Sequence, residues 1–584
     1  MSETDSDFER TVDILVVGSG AGGFTAALAA KARGLEPLLV EKADQFGGTS
    51  ALSGGGVWIP GAPAQVRAGH TIEPEDVVTY LRTLTDGEVS EARIRAFVDN
   101  APRMMEFLEK ISSRMQFMWK AGYPDYFPEL PGGSSDGSVI NVRQIDLREL
   151  GADEKSLLPS LAGPPKGMWI APEELRHFYR LRQSWKGKGV FLKLIGRTLR
   201  ARLLGERKVA IGQALMARFM LAFRERNLEM WLSSPLQSLI TDQDGSVIGA
   251  VVRHEGADRR VRTRGGVILA SGGFDHSPEL RAKFHPFLES PRSYGTTSNT
   301  GDGILAGQQV GADVGLMDSA WWYPNVHRAG GSIHALNERM MPAQFIVNSV
   351  GKRYINEATP YSEFGRAMMA SDESGADRME SWLITDHRSW NRYVIFGHLP
   401  LPKIPFAPAP TGRRMPASWL DSDAVETAGS IEDLAVKIGV PRSRLRQTFD
   451  RFNELARQGV DEEFHRGESI YDNYNGDIRL PNPNLAPLDE DGPFYAFKLT
   501  LADFGTNGGL VTDERARALR ADGTPIRGLY ATGNTTASVM GYSYAGAGAT
   551  LSPTMTFGFV AANDIANEVT IAACSASESV ATSE

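Results

Sequence analysis

The sequence predicts an α/β protein in which a doubly wound parallel sheet, shaped for a dinucleotide, is split in the sequence by an inserted α+β unit. Three observations carry this reading. An apolar run at 11–17 (TVDILVV) leads into a glycine cluster and then a helical pattern at 24–33. A second apolar run at 37–40 ends on an acid, Glu41. The same strand, glycine turn and helix texture returns at 528–562, after a long stretch rich in proline and aromatic residues. Short, nearly continuous apolar runs are the mark of strands buried on both faces.

Composition narrows the function classes. The chain has 584 residues, 62 basic and 71 acidic, for a net charge of −9. Hydrophobic residues are 42% and charged residues 23%, ordinary values for a folded chain, so disorder is excluded for most of it. The acidic balance argues against nucleic acid as a partner. The single Cys574 leaves no internal disulfide framework and no cysteine-ligated metal. The ten histidines are scattered without H-E-x-x-H spacing, so no metal site is expected. Residues 1–10 are polar and acidic, unlike a signal peptide, and no apolar run approaches the roughly 18 residues of a membrane span. A cytoplasmic protein is expected.

Along the chain, 73–110 reads as helix and 130–166 as loop. Residues 228–252 read as strand, a turn at Asp244 and Gly245, and strand. Residues 266–270 are a further buried strand. The texture changes near 320 and reverts near 505. The expected organisation is a first part of the dinucleotide-binding domain at 1–320, a catalytic domain at 321–505, a second part at 506–570 and a flexible tail at 571–584.

Gly18, Gly20 and Gly23 fit G-x-G-x-x-G between the first strand and its helix. The first allows the tight turn, the second admits the pyrophosphate, and the third lets helix and strand pack. The helix N-terminus favours phosphate charge. Glu41 follows at the expected interval of roughly 20 residues, where a carboxylate accepts from ribose hydroxyls. This is a Rossmann-type site. Two further glycine loops, at 46–50 (FGGTS) and 53–56 (SGGG), lie too close to be needed for NAD. With the turn at 528–534 (GLYATGN) they suit a longer ligand, and the reading is FAD.

These motifs, together with ASGG at 270–273, NTGDG at 299–303, GKRYINE at 351–357, DEEFHRG at 461–467 and TNGGL at 506–510, carry a resemblance. The chain resembles the fumarate reductase/succinate dehydrogenase flavoprotein superfamily, and within it the 3-ketosteroid Δ1-dehydrogenases, from about residue 12 to about 567. The resemblance implies that Gly48, Thr49, Ser50, Gly55, Gly56, Gly272, Asp302, Gly533, Asn534 and Leu551 join Gly18, Gly20, Gly23 and Glu41 in holding FAD. Flavinylated members have a His after the G-G-T/S loop. Here Thr49, Ser50 and Ala51 offer none, so FAD is expected to be noncovalent.

The implied reaction introduces a C1–C2 double bond into a 3-ketosteroid by α-proton abstraction and hydride transfer to flavin N5, with a quinone-like acceptor taking the electrons. Tyr361 stands at the position of the family's proton-abstracting tyrosinate. Tyr126 matches the tyrosine that supports it, although Tyr123 and Phe127 beside it read equally as an aromatic wall. Tyr544 matches the donor to the substrate carbonyl, and the Gly548 N–H would be a second donor. Donors aimed at a developing enolate oxygen are usually the largest catalytic contribution. In fumarate reductases the place of Tyr361 holds an Arg. Trp321, Trp322, Tyr323 and Phe364 suggest a flat apolar pocket, although core packing is the ordinary explanation for any one of them. Two departures, Ser552 in S-P-T and Asn507 in G-T-N-G-G, leave the exact ketone open. The alternatives are a smaller, cyclohexanone-like ketone, a Δ4-(5α)-3-ketosteroid reaction, or a membrane-associated flavin-binding protein without desaturase activity.

One segment stands apart. Residues 176–208 carry eleven Lys or Arg and one acid, Glu206. Phe191, Leu192, Ile195, Leu199 and Leu203 share one helical face, with Lys193, Arg197 and Arg200 opposite. This reads either as a peripheral membrane contact or as a solvated helix packed on the core.

Overall fold

The computed structural model describes residues 8–160, 169–171, 173–288, 292–328, 331–370, 375–404 and 410–581. The strand Arg10–Val17 is central to an eight-stranded sheet. It pairs in parallel with Ala257–Leu269 on one side and Pro37–Val40 on the other. Pro525–Ala531 and Glu229–Trp231 extend the parallel array outward. Ile14, Leu15, Val16, Leu38, Leu39, Val267 and Ile268 have no exposed surface, as the apolar runs require. Helix Ala21–Ala32 lies on one face, packed against the C-terminal helix Leu551–Ala581. The latter runs on past 571, where the sequence suggested a loose tail.

Strands from the middle of the chain form a separate, antiparallel sheet of six. It contains Ala320–Arg328, Gly331–His334, Gln344–Val347, Glu380–Asp386, Val425–Ala428 and the long Phe494–Thr506. Helix Tyr361–Met369 lies on Ala320–Arg328. A Cβ on Gly365 would sit 2.6 Å from Trp322 Cβ, so this glycine sets how closely the helix approaches.

Several local readings change. The predicted helix at 73–110 is two helices, Pro74–Leu84 and Glu91–Ile111, broken where Asp86 and Gly87 take positive φ. The stretch read as loop contains Val139–Val142, the middle of a small sheet with Gly56–Trp58 and Phe117–Trp119. Four residues in a polar, glycine-rich context are too short to show alternation. Residues 161–166 of that stretch lie outside the described residues.

The basic segment forms helix Trp185–Leu204. Its inward side is Gly187, Val190, Leu194 and Ala201. Its apolar stripe faces out: Leu192 is 67% exposed, Leu199 55% and Leu203 85%. Arg197 turns to Glu174 at 2.6 Å. No helix among the described residues is long and apolar enough to cross a membrane.

Candidate active site

The first strand ends at Gly18, whose φ of +108° makes the turn into the helix. A Cβ on Gly23 would lie 1.9 Å from the Gly18 carbonyl oxygen, so Gly23 serves helix–turn packing and does not line the cavity. Glu41, at the end of the second strand, accepts from Ser19 N–H at 2.9 Å, Ser19 Oγ at 2.6 Å and Ala43 N–H at 2.9 Å. Its carboxylate is thereby fixed in place.

A cavity of about 680 Å³ runs from this turn into the second sheet. Gly18, Gly20, Glu41, Gly48, Thr49, Ser50, Gly55, Gly56, Gly272, Asp302, Gly533, Asn534 and Leu551 all line it. The side chains among them are tethered. Ser50 Oγ accepts from Ala21 N–H at 3.1 Å, and Thr49 Oγ1 from Asn299 Nδ2 at 3.0 Å. Asp302 pairs with Lys42 at 2.7 Å, and Asn534 Oδ1 accepts from Trp321 Nε1 at 3.2 Å. A helix N-terminus without acids in its first turn, a fixed carboxylate and an extended glycine-walled groove fit FAD. Acid or heat denaturation is expected to release FAD into the supernatant; flavin retained in the protein pellet, or release of FMN, would contradict this.

Beyond the groove the cavity is walled by tyrosines. Tyr126, Tyr361 and Tyr544 converge from three distant segments. Ring centroids are 5.8 Å apart for Tyr126 and Tyr361, and 5.5 Å for both Tyr126–Tyr544 and Tyr361–Tyr544. Tyr361 opens the helix Tyr361–Met369. Tyr544 Oη accepts from Thr550 Oγ1 at 3.1 Å, which leaves its own proton to point elsewhere. Gly548 has φ of +99°, and a Cβ there would fall 2.3 Å from the Gly56 carbonyl oxygen. Only glycine lets this backbone press against the flavin-side loop. Burial pushes the Tyr126 and Tyr361 hydroxyls well above their ordinary value.

Other wall residues have no motif that announces them. Tyr471 lies 4.8 Å from Tyr126 between ring centroids, and Tyr123, Tyr294, His334, Leu336 and Phe504 complete the surface. The four aromatics expected to form the pocket do not line it. Trp322 and Phe364 pack in the core behind the second sheet, Tyr323 stacks on Phe504 at 4.0 Å, and Trp321 meets Tyr544 edge-on at 5.1 Å. Trp321, Trp322 and Tyr323 lie on a strand interior to the sheet and Phe364 on the helix that covers it, so they pack in the layer behind the wall. Asn507 and Ser552 are buried and also off the cavity.

The loop before Tyr361 is held by a buried ion cluster. Glu357 accepts from Arg353 Nε at 2.7 Å and Arg466 Nη1 at 3.1 Å, and Arg353 also reaches Asp461 at 2.6 Å. Arg339 donates to the carbonyls of Glu357 and Thr359. The motifs at 351–357 and 461–467 thus clamp the turn that presents Tyr361.

Groove, carboxylate and tyrosine wall define an FAD-dependent oxidoreductase. Comparison with known proteins agrees. The family described as FAD binding domain matches residues 13–551. A 3-oxosteroid 1-dehydrogenase of Mycolicibacterium smegmatis is 40% identical over 95% of this chain and 97% of its own. A 4-oxocyclohex-2-ene-1-carboxylate 5-dehydrogenase of Sinomonas cyclohexanicum is 34% identical over 95% and 93%. The crystal structure of the 3-ketosteroid Δ1-dehydrogenase from Sterolibacterium denitrificans, in complex with 1,4-androstadiene-3,17-dione, superimposes with a TM-score of 0.85. It is 36% identical, covering 96% of this chain and 100% of that one. The chain belongs to the 3-oxosteroid 1-dehydrogenase family of FAD-binding oxidoreductases.

Proposed function

We propose that the protein desaturates a cyclic ketone, a 3-ketosteroid at C1–C2, and passes the electrons to a quinone-like acceptor. The observation that carries this is the convergence of Tyr126, Tyr361 and Tyr544 beside Gly548 at one end of the FAD-shaped cavity. Tyr544 Oη and the Gly548 N–H donate to the ketone oxygen and stabilise the enolate that forms when the neighbouring carbon loses its proton. Tyr361 takes that proton, and Tyr126 supports the base. FAD, when bound, supplies the hydride acceptor. The surrounding Tyr, Phe and Leu side chains exclude water, which strengthens each of these interactions. In this reading 1–320 and 506–570 form one FAD-binding unit and 321–505 the unit that walls the substrate.

A panel under anaerobic conditions tests the reading. A 4-ene-3-ketosteroid is expected to bleach the flavin, its 3-hydroxy analogue and succinate to leave it oxidised. Bleaching by succinate alone overturns it; bleaching by a 5α-3-ketosteroid or cyclohexanone alone would select one of the other ketones.

The exposed stripe on helix Trp185–Leu204 supports a peripheral membrane contact, at the cytoplasmic face. Trp185 is 85% exposed with Lys188 Nζ 4.3 Å from its ring centroid, a pairing suited to a lipid headgroup boundary. Vesicles containing anionic lipid are expected to retain the protein at low salt and release it when Leu192, Leu199 and Leu203 are changed to Ser. Equal retention of both forms would remove the proposal.

A further inference from the structure

The wall that carries Tyr126 continues to Lys120, which lines the same cavity. Lys120 follows the strand Phe117–Trp119 and is fixed by its backbone. Its N–H donates to the Val139 carbonyl at 2.9 Å, and its own carbonyl accepts from Tyr123 N–H at 3.3 Å. The ammonium lies 3.9 Å from the Tyr123 ring centroid and 5.7 Å from that of Tyr474. Arg176 approaches the same Tyr474 ring at 5.0 Å. Ring faces attract a cation but leave its N–H donors without an acceptor. Among the described residues, no ion pair or hydrogen bond engages this ammonium. Trp169, Ile170 and Leu175 also line this cavity.

The order of contacts places Lys120 relative to the chemistry. Tyr126 stacks on Tyr544, the hydroxyls of Tyr126 and Tyr123 interact, and Lys120 sits on the Tyr123 ring. A ring system held by its ketone at Tyr544 and extending along this wall therefore brings its far end to Lys120. A cation on a poorly hydrated wall, acted on by Glu173 but paired with no carboxylate, is a waiting partner for an anion.

We propose that Lys120 is a specificity-determining residue that binds a carboxylate carried at the end of the substrate remote from the reacting ketone. This rests on the ketone-desaturase reading. Arg176 adds to the positive field from the neighbouring segment.

The test uses the FAD-loaded protein and product-type 1,4-dien-3-ones, which bind without turnover. One bears a side-chain carboxylate, and the other is its methyl ester. Charge-assisted hydrogen bonds predict that the acid binds about tenfold or more tightly than the ester at pH 6. Lys120→Met is expected to erase that difference, and Lys120→Arg is expected to keep it. Burial, with Arg176 adding to it and Glu173 opposing, lowers the Lys120 pKa to about 7. The preference is therefore full below that value and fades as pH rises through and above it, since the ammonium loses its proton. Arg176, Glu173, Tyr123 and Tyr474 are the charged or titratable groups that face it. Equal affinity for acid and ester in the wild type, or a preference that survives Lys120→Met, overturns the inference. The parent reading fails separately, if no ketone bleaches the flavin.

Discussion

Tyr361→Phe is expected to lower kcat by about 10²–10⁴, the range that positioned proton transfer supplies, while FAD and ketone still bind. The ring keeps its packing against Phe504, 5.5 Å between centroids, and against Tyr126. Only the hydroxyl that accepts the α-proton is removed. Tyr544→Phe should be milder, about 10²–10³ in kcat, because the Gly548 N–H remains as a donor. Tyr126→Phe should fall at or below Tyr544→Phe. The pH profile reads the same assignment. Burial raises the Tyr361 hydroxyl well above its ordinary value, so the basic form grows as pH rises. kcat/KM is therefore expected to climb from pH 7 to 10 in the wild type and to flatten in Tyr361→Phe. Near-normal turnover in that variant, or flavin reduction by a 3-alcohol as fast as by the ketone, would show that these tyrosines are wrongly assigned.

Glu357→Ala is expected to be the most destabilising single change near the site, at about 3–5 kcal/mol. The carboxylate is fully buried between two buried guanidiniums. Although burial works to raise it, Arg353 and Arg466 hold its pKa below the ordinary carboxylate range. Its removal leaves Arg466 without its close carboxylate partner and Arg353 with Asp461 at 2.6 Å and Glu463 at 3.9 Å, so buried positive charge is left under-compensated. The cost is that of a broken buried pair, not the net worth of an intact one. Urea unfolding of the FAD-loaded protein gives the measurement, with Glu357→Gln as the gentler variant. An unchanged midpoint in Glu357→Ala would mean that the cluster carries no stability. Because the clamp sits four residues before Tyr361, surviving protein should also lose turnover more than it loses FAD.

What the sequence made legible was local steric necessity. The glycines at 18, 20 and 23 and the acid at 41 follow from one turn and one strand end, so their placement could be reasoned without the rest of the chain. Tyr361 and Tyr544 were reachable only through a resemblance, because nothing nearby marks a tyrosine as facing a cavity. Tyr471, Arg339 and Lys120 arrive at the wall from unrelated segments, and no spacing rule connects them. Trp321, Trp322, Tyr323 and Phe364 misled for the converse reason: aromatic residues in a covered strand, or on the helix that covers it, have the same text as a pocket wall. On helix Trp185–Leu204 the periodicity gave the two faces, but which face met the protein depended on tertiary packing.

The cofactor groove also has a history in time. One of its walls is the turn that follows the strand Arg10–Val17, and another is the turn through Gly533 and Asn534 that follows Pro525–Ala531. At ribosomal rates of about 5–20 residues per second, roughly 25 to 100 seconds separates the synthesis of these two walls. During that interval the strand Ala257–Leu269 lacks Pro525–Ala531, its parallel partner on the side away from Arg10–Val17. Flavin capture is thus a late event, after nearly the whole polypeptide has left the ribosome. Chains stalled or cut before residue 525 should accumulate as colourless, aggregation-prone species, however complete their first glycine motif.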